Sequence, residues 1–500
     1  MNILFIYPNL YAQIGFNYGI AYISAMLKTA GHGVRLLNIN EQLDFPLDHN
    51  LIRSEIEKFK PGLIAFSVVS NQYQFAEEIA KNIRTYCNAP TLCGGIHATM
   101  DPEGVLKSGL FDYVCVGEGE DAVTELAGKL ENGGDTDNIA NIWTCKNGLI
   151  IKNPVRPLKN VTELPAKDYE IFDIQKMIDA KDGWVGLLTS RGCPFRCTYC
   201  LNHKIVEIYR TDLKQRNINY IRHHSVDEII SEIDYILSTY KRVKMFIFDD
   251  DLFTFNKVYV EEFCEKYSKK YSVPFVCNAH VKVFDDQIAV ALKKANCQIV
   301  KFGLESGNER VRSQIMHRYM TNANIIDAFV AAERAGLHSS AFVMMGLPSE
   351  TIEELYDTIN LLGAIKPGRF RWAIFFPFIN TEAYHITRNM GLIDEDKMKS
   401  LTNFTEESCL NVSPQLHKLI KRLSVAFAWY VNAASDLPVA PMYKNLVAEI
   451  DKMSENEWDS YKKDIRRIDS DLSKVLRLDG KLHYSIRYNS FTGVRSDWDD

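Results

Sequence analysis

No apolar run in this 500-residue chain is long enough to cross a bilayer: the longest suspicious stretch, Leu423 to Ala434, falls short of the ~20 residues a membrane helix needs. Nor does a basic and then apolar leader open it, since Met1-Asn-Ile-Leu-Phe-Ile-Tyr-Pro8 enters a strand-like run at once. Charge of one sign is also missing. The net charge is -6 with lysine, arginine and acids dispersed, which excludes a footprint for nonspecific nucleic-acid binding. A disulfide framework is absent too, because eleven cysteines are an odd number in a long chain with three in one loop, and a reducing, cytoplasmic setting is expected. No Gly-x-Gly-x-x-Gly opens the first helix, which argues against a nicotinamide site, and no internal repeat or low-complexity tract stands out. What is abundant is core: 46% apolar residues over this length fill two or three domains.

Up to about residue 140, short apolar runs alternate with helix-length segments, the pattern of a doubly wound, flavodoxin-like or Rossmann-like parallel sheet. Ile3 to Tyr7, Val34 to Ile39, Leu63 to Val69, Thr91 to Cys93 and Tyr113 to Val116 read as its strands. Residues 141 to 183 read as a hairpin turned at Asn147-Gly148 and a linker punctuated by Pro154, Pro157 and Pro165. Between 184 and 394 a second alternating series offers Val185 to Thr189, Lys244 to Phe248, Phe275 to Ala279, Ile299 to Leu304, Ser340 to Met345 and Arg371 to Phe376. Six such units fit a partial (β/α)6 barrel, with its chemistry at the C-terminal strand ends. Ser225 and Glu228 form a capping box for a helix from Val226. From 395 to 500 the pattern turns mainly helical, with Leu416, Leu419, Ile420, Leu423, Phe427 and Val431 on one stripe, before a polar, acidic end.

Immediately after the first barrel strand stands Ser190-Arg-Gly-Cys-Pro-Phe-Arg-Cys-Thr-Tyr-Cys200. Three thiolates on one short loop, Cys193, Cys197 and Cys200, can each hold one iron of a 4Fe-4S cubane and leave the fourth open. His203 could instead complete a zinc tetrahedron, although the second half-motif that zinc sites usually have is missing. The cysteine spacing, with Tyr199 before the last thiol, closely resembles the cluster motif of the radical S-adenosylmethionine (SAM) superfamily. That resemblance implies an open iron that chelates SAM, and Tyr199 near adenine. Further strand-end segments resemble that family's SAM contacts. Asp249 and Asp250, with Asp251, would accept from the SAM ammonium, or else cap a helix as solvated acids. Glu305 and Ser306 in Gly303-Leu-Glu-Ser-Gly307 would meet ribose or the SAM amine, and Gly346 in Met345-Gly-Leu-Pro-Ser-Glu350 would pass close to adenine. Arg191 or Arg196 would lie near the cluster.

Ligands of an open parallel sheet bind across its strand C-termini, where this chain places Pro8, Asn9, Ser67, Ser70, Asn71, Gly94, Gly95, His97, Gly117, Glu118 and Gly119. Coupled to such a barrel, the order Gly-Gly-x-His and Gly-Glu-Gly-Glu resembles the cobalamin-binding domain of cobalamin-dependent radical SAM enzymes. It departs from domains that ligate cobalt through Asp-x-His-x-x-Gly, because Pro8-Asn-Leu-Tyr-Ala-Gln-Ile-Gly15 has no histidine. The expectation is therefore cobalamin without a histidine ligand from that motif, with His97 at the cofactor's periphery. The tRNA methylthiotransferases share the barrel, but Cys87, Cys93 and Cys115 do not match their second cluster. Taken together, the resemblance implies a methyltransferase moving a methyl group from SAM through methylcobalamin to an unactivated carbon or phosphinate phosphorus. The substrate would be a small molecule, lipid or peptide, and the electron source a flavodoxin or ferredoxin. An oxidative cyclase or rearrangement enzyme with the same cofactors is the alternative, and a noncatalytic corrinoid or iron-sulfur carrier a third.

Overall fold

The computed structural model describes residues 1–401 and 403–498. Its contacts group into two units: Met1–Phe195 with Cys200–Ile247 and Phe378–Thr381, and Arg196–Tyr199 with Phe248–Pro377 and Glu382–Asp500. Among the described residues no helix is long and apolar enough to cross a membrane.

The first unit is built on strands β1 (Asn2–Pro8), β2 (Gly33–Ile39), β3 (Leu63–Ser67), β4 (Thr91–Gly94) and β5 (Tyr113–Cys115), parallel in the order β2-β1-β3-β4-β5. Ile3, Leu4, Ile6, Leu63 and Ile64 are fully buried, as strands covered by helices on both faces must be. The first crossover helix, Tyr18–Thr29, starts where the Asn17 side chain accepts from the Ile20 amide and stops at left-handed Gly31. This strand order places a switch point between β1 and β3, and so a ligand crevice beyond their carboxyl ends. The hairpin β6 (Ile142–Lys146) and β7 (Leu149–Ile151) extends the sheet antiparallel. Its turn residues Asn147 and Gly148 have φ of 52° and 78°, the pair of positive angles that makes a two-residue turn match strand twist. The unit continues through β8 (Trp184–Leu187), the two-residue strands β9 (Ser190–Arg191) and β10 (Arg222–His223), paired antiparallel, and β11 (Met245–Phe248).

In the second unit β12 (Phe275–Ala279), β13 (Cys297–Glu305), β14 (His338–Met345) and β15 (Arg369–Ile374) are parallel neighbours in that order, with a helix between each strand and the next. Val300, Phe302 and Leu304 of β13 are buried against the helices, while Lys301, Gly303 and Glu305 alternate onto the opposite face. Leaving aside the two-residue β9 and β10, the six strands β8 and β11 to β15 alternate with helices along the chain, the α/β order of a partial (β/α)6 barrel. Helices Pro414–Ala434, Ala440–Lys452, Glu455–Tyr461 and Ile465–Leu478 follow, and the expected stripe is core: Leu423, Phe427 and Val431 are fully buried.

The mainly helical region also carries a hairpin near its end, which the sequence did not signal: β16 (Tyr484–Ile486) and β17 (Thr492–Arg495), the second strand pairing antiparallel with β15. Strands of three and four residues carry too little alternation to stand out from loop.

Candidate active site

The cysteine loop is held by specific bonds. Gly192 has φ +95°, and a Cβ there would lie 2.3 Å from the Tyr220 carbonyl oxygen, so only glycine lets the chain turn into the motif. Cys193 and Cys200 are half-buried and Cys197 is buried; Cys200 occupies the N-cap of helix Leu201–Leu213, where the helix dipole favours anionic groups. In the second unit, Thr198 donates through its amide to the Met316 carbonyl at 3.0 Å and through its hydroxyl to the Ile315 carbonyl at 2.7 Å. These bonds fix the stretch that bears Cys197. Among the described residues no three His, Cys, Asp or Glu side chains are already gathered to hold a metal, His203 included. A thiolate set closes when its metal arrives, because like charges do not assemble unaided.

A residue that sequence reading missed stands beside Cys197. Buried Arg318 directs Nη1 to the Cys197 sulfur at 3.6 Å and donates from Nη2 to the Gly303 carbonyl at 2.7 Å. The charged donor fixes the position of the sulfur. Glu305 faces the same cation. Its φ of 67° and the register shift between Gly303 and Glu305 against β14 form a bulge that re-aims the side chain. Burial raises the Glu305 carboxyl above its ordinary value, against the opposing pull of Arg318 and a hydrogen bond from Tyr199. Cys197, Tyr199, Glu305 and Arg318 thus form one connected set.

The other strand-end residues divide. Asp250 is buried, its carbonyl accepting from Asn278 Nδ2 at 2.8 Å, while Asp249 is exposed. Ser306 is fully buried; its hydroxyl oxygen accepts from the Asn308 amide at 3.2 Å, a local turn bond, and lies 3.5 Å from Thr358 Oγ1. Gly346 has φ +76°. Its amide and that of Leu347 donate to Glu350 Oε2 at 2.7 and 3.2 Å, so a buried carboxyl shapes this loop. Glu350 Oε1 has no partner, and burial pushes the carboxyl up to about 8. On and just after β15, Trp372 and Phe375 are buried core, with Trp372 Nε1 donating to the Ser424 carbonyl at 3.1 Å.

Around the first sheet's crevice, Asn9 is buried at the end of β1, and its carbonyl accepts from Asn40 Nδ2 at 2.6 Å. Ser67 accepts from Asn17 Nδ2 at 3.1 Å; Ser70 Oγ lies 3.3 Å from His97 Nδ1, and Asn71 is half-buried. His97 stacks on Tyr73 with ring centroids 4.0 Å apart. Burial lowers its pKa to about 4, and its Nε2 is buried without a partner. A neutral imidazole with an orphaned nitrogen fits a ligand that brings a hydrogen-bonding periphery, so these residues can accommodate a corrin ring and its side chains.

Two of the motif glycines, Gly95 and Gly117, are required by the fold itself. A Cβ on Gly95 would sit 2.7 Å from the Val68 nitrogen and oxygen, and one on Gly117 2.5 Å from the Tyr209 hydroxyl. Gly119 packs against Ile23. The Glu118 amide donates to the Tyr209 hydroxyl at 3.0 Å. Its carboxylate accepts from Arg222 Nη1 and Nη2 at 2.9 and 2.6 Å and from Arg191 Nη1 at 3.0 Å, and Arg191 Nη2 donates to Glu120 at 2.6 Å. Arg191, read from sequence as a neighbour of the cluster, is committed to these two acids. Burial works against the charged Glu118, yet the two guanidinium groups hold its carboxyl below the usual range.

Two family models match the chain: the B12 binding domain over residues 10–127 and the radical SAM superfamily over residues 187–362. The chain therefore belongs to the radical SAM enzymes that carry an N-terminal cobalamin-binding domain, and its cofactors are a 4Fe-4S cluster, SAM and cobalamin. An uncharacterized methyltransferase of Pyrococcus horikoshii is 28% identical over 82% of this chain and 87% of its own length. The anaerobic magnesium-protoporphyrin IX monomethyl ester cyclase of Rubrivivax gelatinosus is 24% identical over 76% of this chain and 68% of its own. Among solved structures, the cobalamin-dependent SAM radical enzyme OxsB, with aqua-cobalamin and SAM bound, superposes with a TM-score of 0.68 at 16% identity, covering 96% of this chain and 75% of that one, which is a likeness of fold.

Proposed function

We propose that this chain is a cobalamin-dependent radical SAM methyltransferase that methylates an unactivated carbon, or a phosphinate phosphorus, of its substrate. The observation that carries the reading is the union of the two family domains in one chain, with the Pyrococcus relative named a methyltransferase along nearly its whole length. When bound, the cluster and SAM supply a 5'-deoxyadenosyl radical and cobalamin supplies a transferable methyl group. The chain's part is to hold and orient. Cys193, Cys197 and Cys200 are the cluster ligands, and Arg318 fixes the Cys197 sulfur by a directed hydrogen bond. Glu305, itself oriented by Arg318 and Tyr199, accepts from SAM hydroxyl or ammonium groups, with Asp249 and Asp250 as further acceptors. The Gly346 loop, drawn tight by Glu350, borders the adenine. Asn9, Ser67, Ser70, Asn71 and His97 meet the corrin periphery, and an external flavodoxin or ferredoxin supplies electrons.

The Rubrivivax relative favours a second reading, oxidative cyclisation, which uses the same cofactors without methyl transfer. Anaerobic reconstitution with SAM, reductant and cobalamin, followed by mass spectrometry, separates the two. The proposal expects S-adenosylhomocysteine together with 5'-deoxyadenosine; deoxyadenosine alone defeats it. Cys197→Ala should lose both products and the cluster's iron and sulfide, whereas a corrinoid carrier would keep its ligand.

A further inference from the structure

Three cations on one face of the second unit's sheet are left without the carboxylate that half-buried cations usually acquire. In the registers of β12 to β15, Asn278 lies opposite Lys301, Lys301 opposite Ser340 and Ser340 opposite Arg369. These four residues form a row across the strands, because laterally paired residues share a face. Two positions further along, Gly303, Phe342 and Arg371 form the next row. Lys301, Arg369 and Arg371 are half-buried. Arg369 Nε donates to Ser340 Oγ at 3.2 Å, and the Arg371 guanidinium lies over the Phe491 ring at 5.1 Å and the Phe342 ring at 5.9 Å. Among the described residues none of the three enters an ion pair, and the largest electrostatic pull on Lys301 comes from Asp249, which lies beyond ion-pair distance.

This arrangement opposes folding. Burial lowers the Lys301 ammonium to about 8 and the Arg369 guanidinium to about 10, and the neighbouring arginines push in the same direction. Like charges held together out of water are costly unless an anion joins them. The place is also informative. A Cβ on Gly303 would lie 2.4 Å from Glu305 Oε1 and 2.8 Å from Arg318 Nη2, so Lys301, two residues earlier, is about 7 Å along the strand from the Cys197, Glu305 and Arg318 set.

We propose that Lys301, Arg369 and Arg371 form the substrate's anion site, and that the substrate carries a phosphoryl or carboxylate group anchored there beside an apolar portion against Phe342 and Phe491. This deepens the methyltransferase reading and rests on it for the word substrate. The anion would supply the missing countercharge, accept hydrogen bonds from all three cations and leave the rest of the molecule to extend toward the strand ends where the radical is formed.

The test is calorimetric titration of the full-length protein, reconstituted with cluster and cobalamin, using phenyl phosphate, benzoate and neutral benzyl alcohol as probes. Saturable binding of one or both anions, absent for the alcohol, is expected; the tighter anion identifies the oxyanion. Lys301→Gln and Arg371→Gln should each weaken binding about tenfold or more, with Arg371→Lys close to wild type and melting temperatures equal to or above it. Anions that fail to bind wild-type protein, Gln variants that bind as tightly as wild type, or Gln variants that melt well below it would overturn the proposal. Binding is read without turnover, so failure of SAM cleavage would defeat the enzyme reading and leave the anion result standing.

Discussion

Arg191 and Arg222 of the first unit and Lys301, Arg369 and Arg371 of the second are all cations drawn out of water, yet their surroundings are opposite. The first pair meets Glu118 and Glu120 at 2.6 to 3.0 Å, so its charge is answered inside the protein. The second trio has no ion pair among the described residues. The contrast separates scaffold from recognition. A buried charge paired by its own fold fixes a conformation, whereas one left unpaired at a cost is a charge awaiting a ligand. On this criterion the Gly-Glu-Gly-Glu segment, whose sequence resembles a cofactor contact, works first as the clamp that ties the loop after β5 to Arg191, two residues before Cys193.

The largest effect should come from breaking that clamp. Glu118→Ala leaves Arg222, whose side chain is 3% exposed, buried without an acid, a loss of about 3 to 5 kcal/mol in denaturant unfolding. Because the folded-state carboxyl is held below its ordinary value, its contribution is present at neutral pH and is lost as pH falls through that depressed value. The stability gap between wild type and Glu118→Gln should therefore narrow in acid. A gap independent of pH would mean that the ion pairs do not stabilise the fold and would erase the contrast between the two sets of cations.

Next in size is Arg318, which falls between the two patterns: it hydrogen-bonds Cys197 and a backbone carbonyl and has the Glu305 carboxyl in electrostatic reach. Arg318→Gln removes a positive charge from beside Cys197, so with the cluster on Cys193, Cys197 and Cys200 as proposed, its reduced form should be harder to reach. Electron paramagnetic resonance during a potentiometric titration should show a more negative midpoint, with SAM cleavage slower by about ten- to hundredfold, the usual scale for residues that support a metal ligand. An unshifted midpoint would make Arg318 mere packing.

Much of this was legible in the chain. Continuous apolar runs located β1 to β5, Asn147-Gly148 located the hairpin, and Ser225 with Glu228 forms the reciprocal cap that their spacing implies. The cysteine loop stood out because metal ligation constrains spacing within a few residues. Arg318, Arg222 and Tyr209 did not stand out, because their partners lie 121, 104 and 91 residues away and only the fold selects them. The motif glycines were visible, but not the cause of two of them: Gly95 yields to the Val68 backbone and Gly117 to the Tyr209 hydroxyl, demands made by the protein before any ligand. The unpaired cations were equally hidden, since only strand register places Lys301 and Arg369 in one row.

The smallest effect tests the comparison from the acid side. Glu350 is a buried carboxyl with one oxygen bonded to two amides and the other unpartnered, and burial raises its pKa from 4.5 to about 8. A raised value means that the protonated form favours the fold: its contribution is complete below 4.5 and disappears as pH rises through about 8. Near pH 7 the group is largely neutral, so Glu350→Gln, whose amide oxygen can accept the same two bonds, should change stability by no more than about 1 kcal/mol. Above pH 8 the variant should melt higher than wild type, because wild type alone must ionise a buried acid. Melting curves recorded from pH 5 to 9 decide the matter. If the two proteins run parallel across that range, Glu350 is ionised throughout and has an internal countercharge, which would place it with Glu118 among the paired groups of the scaffold.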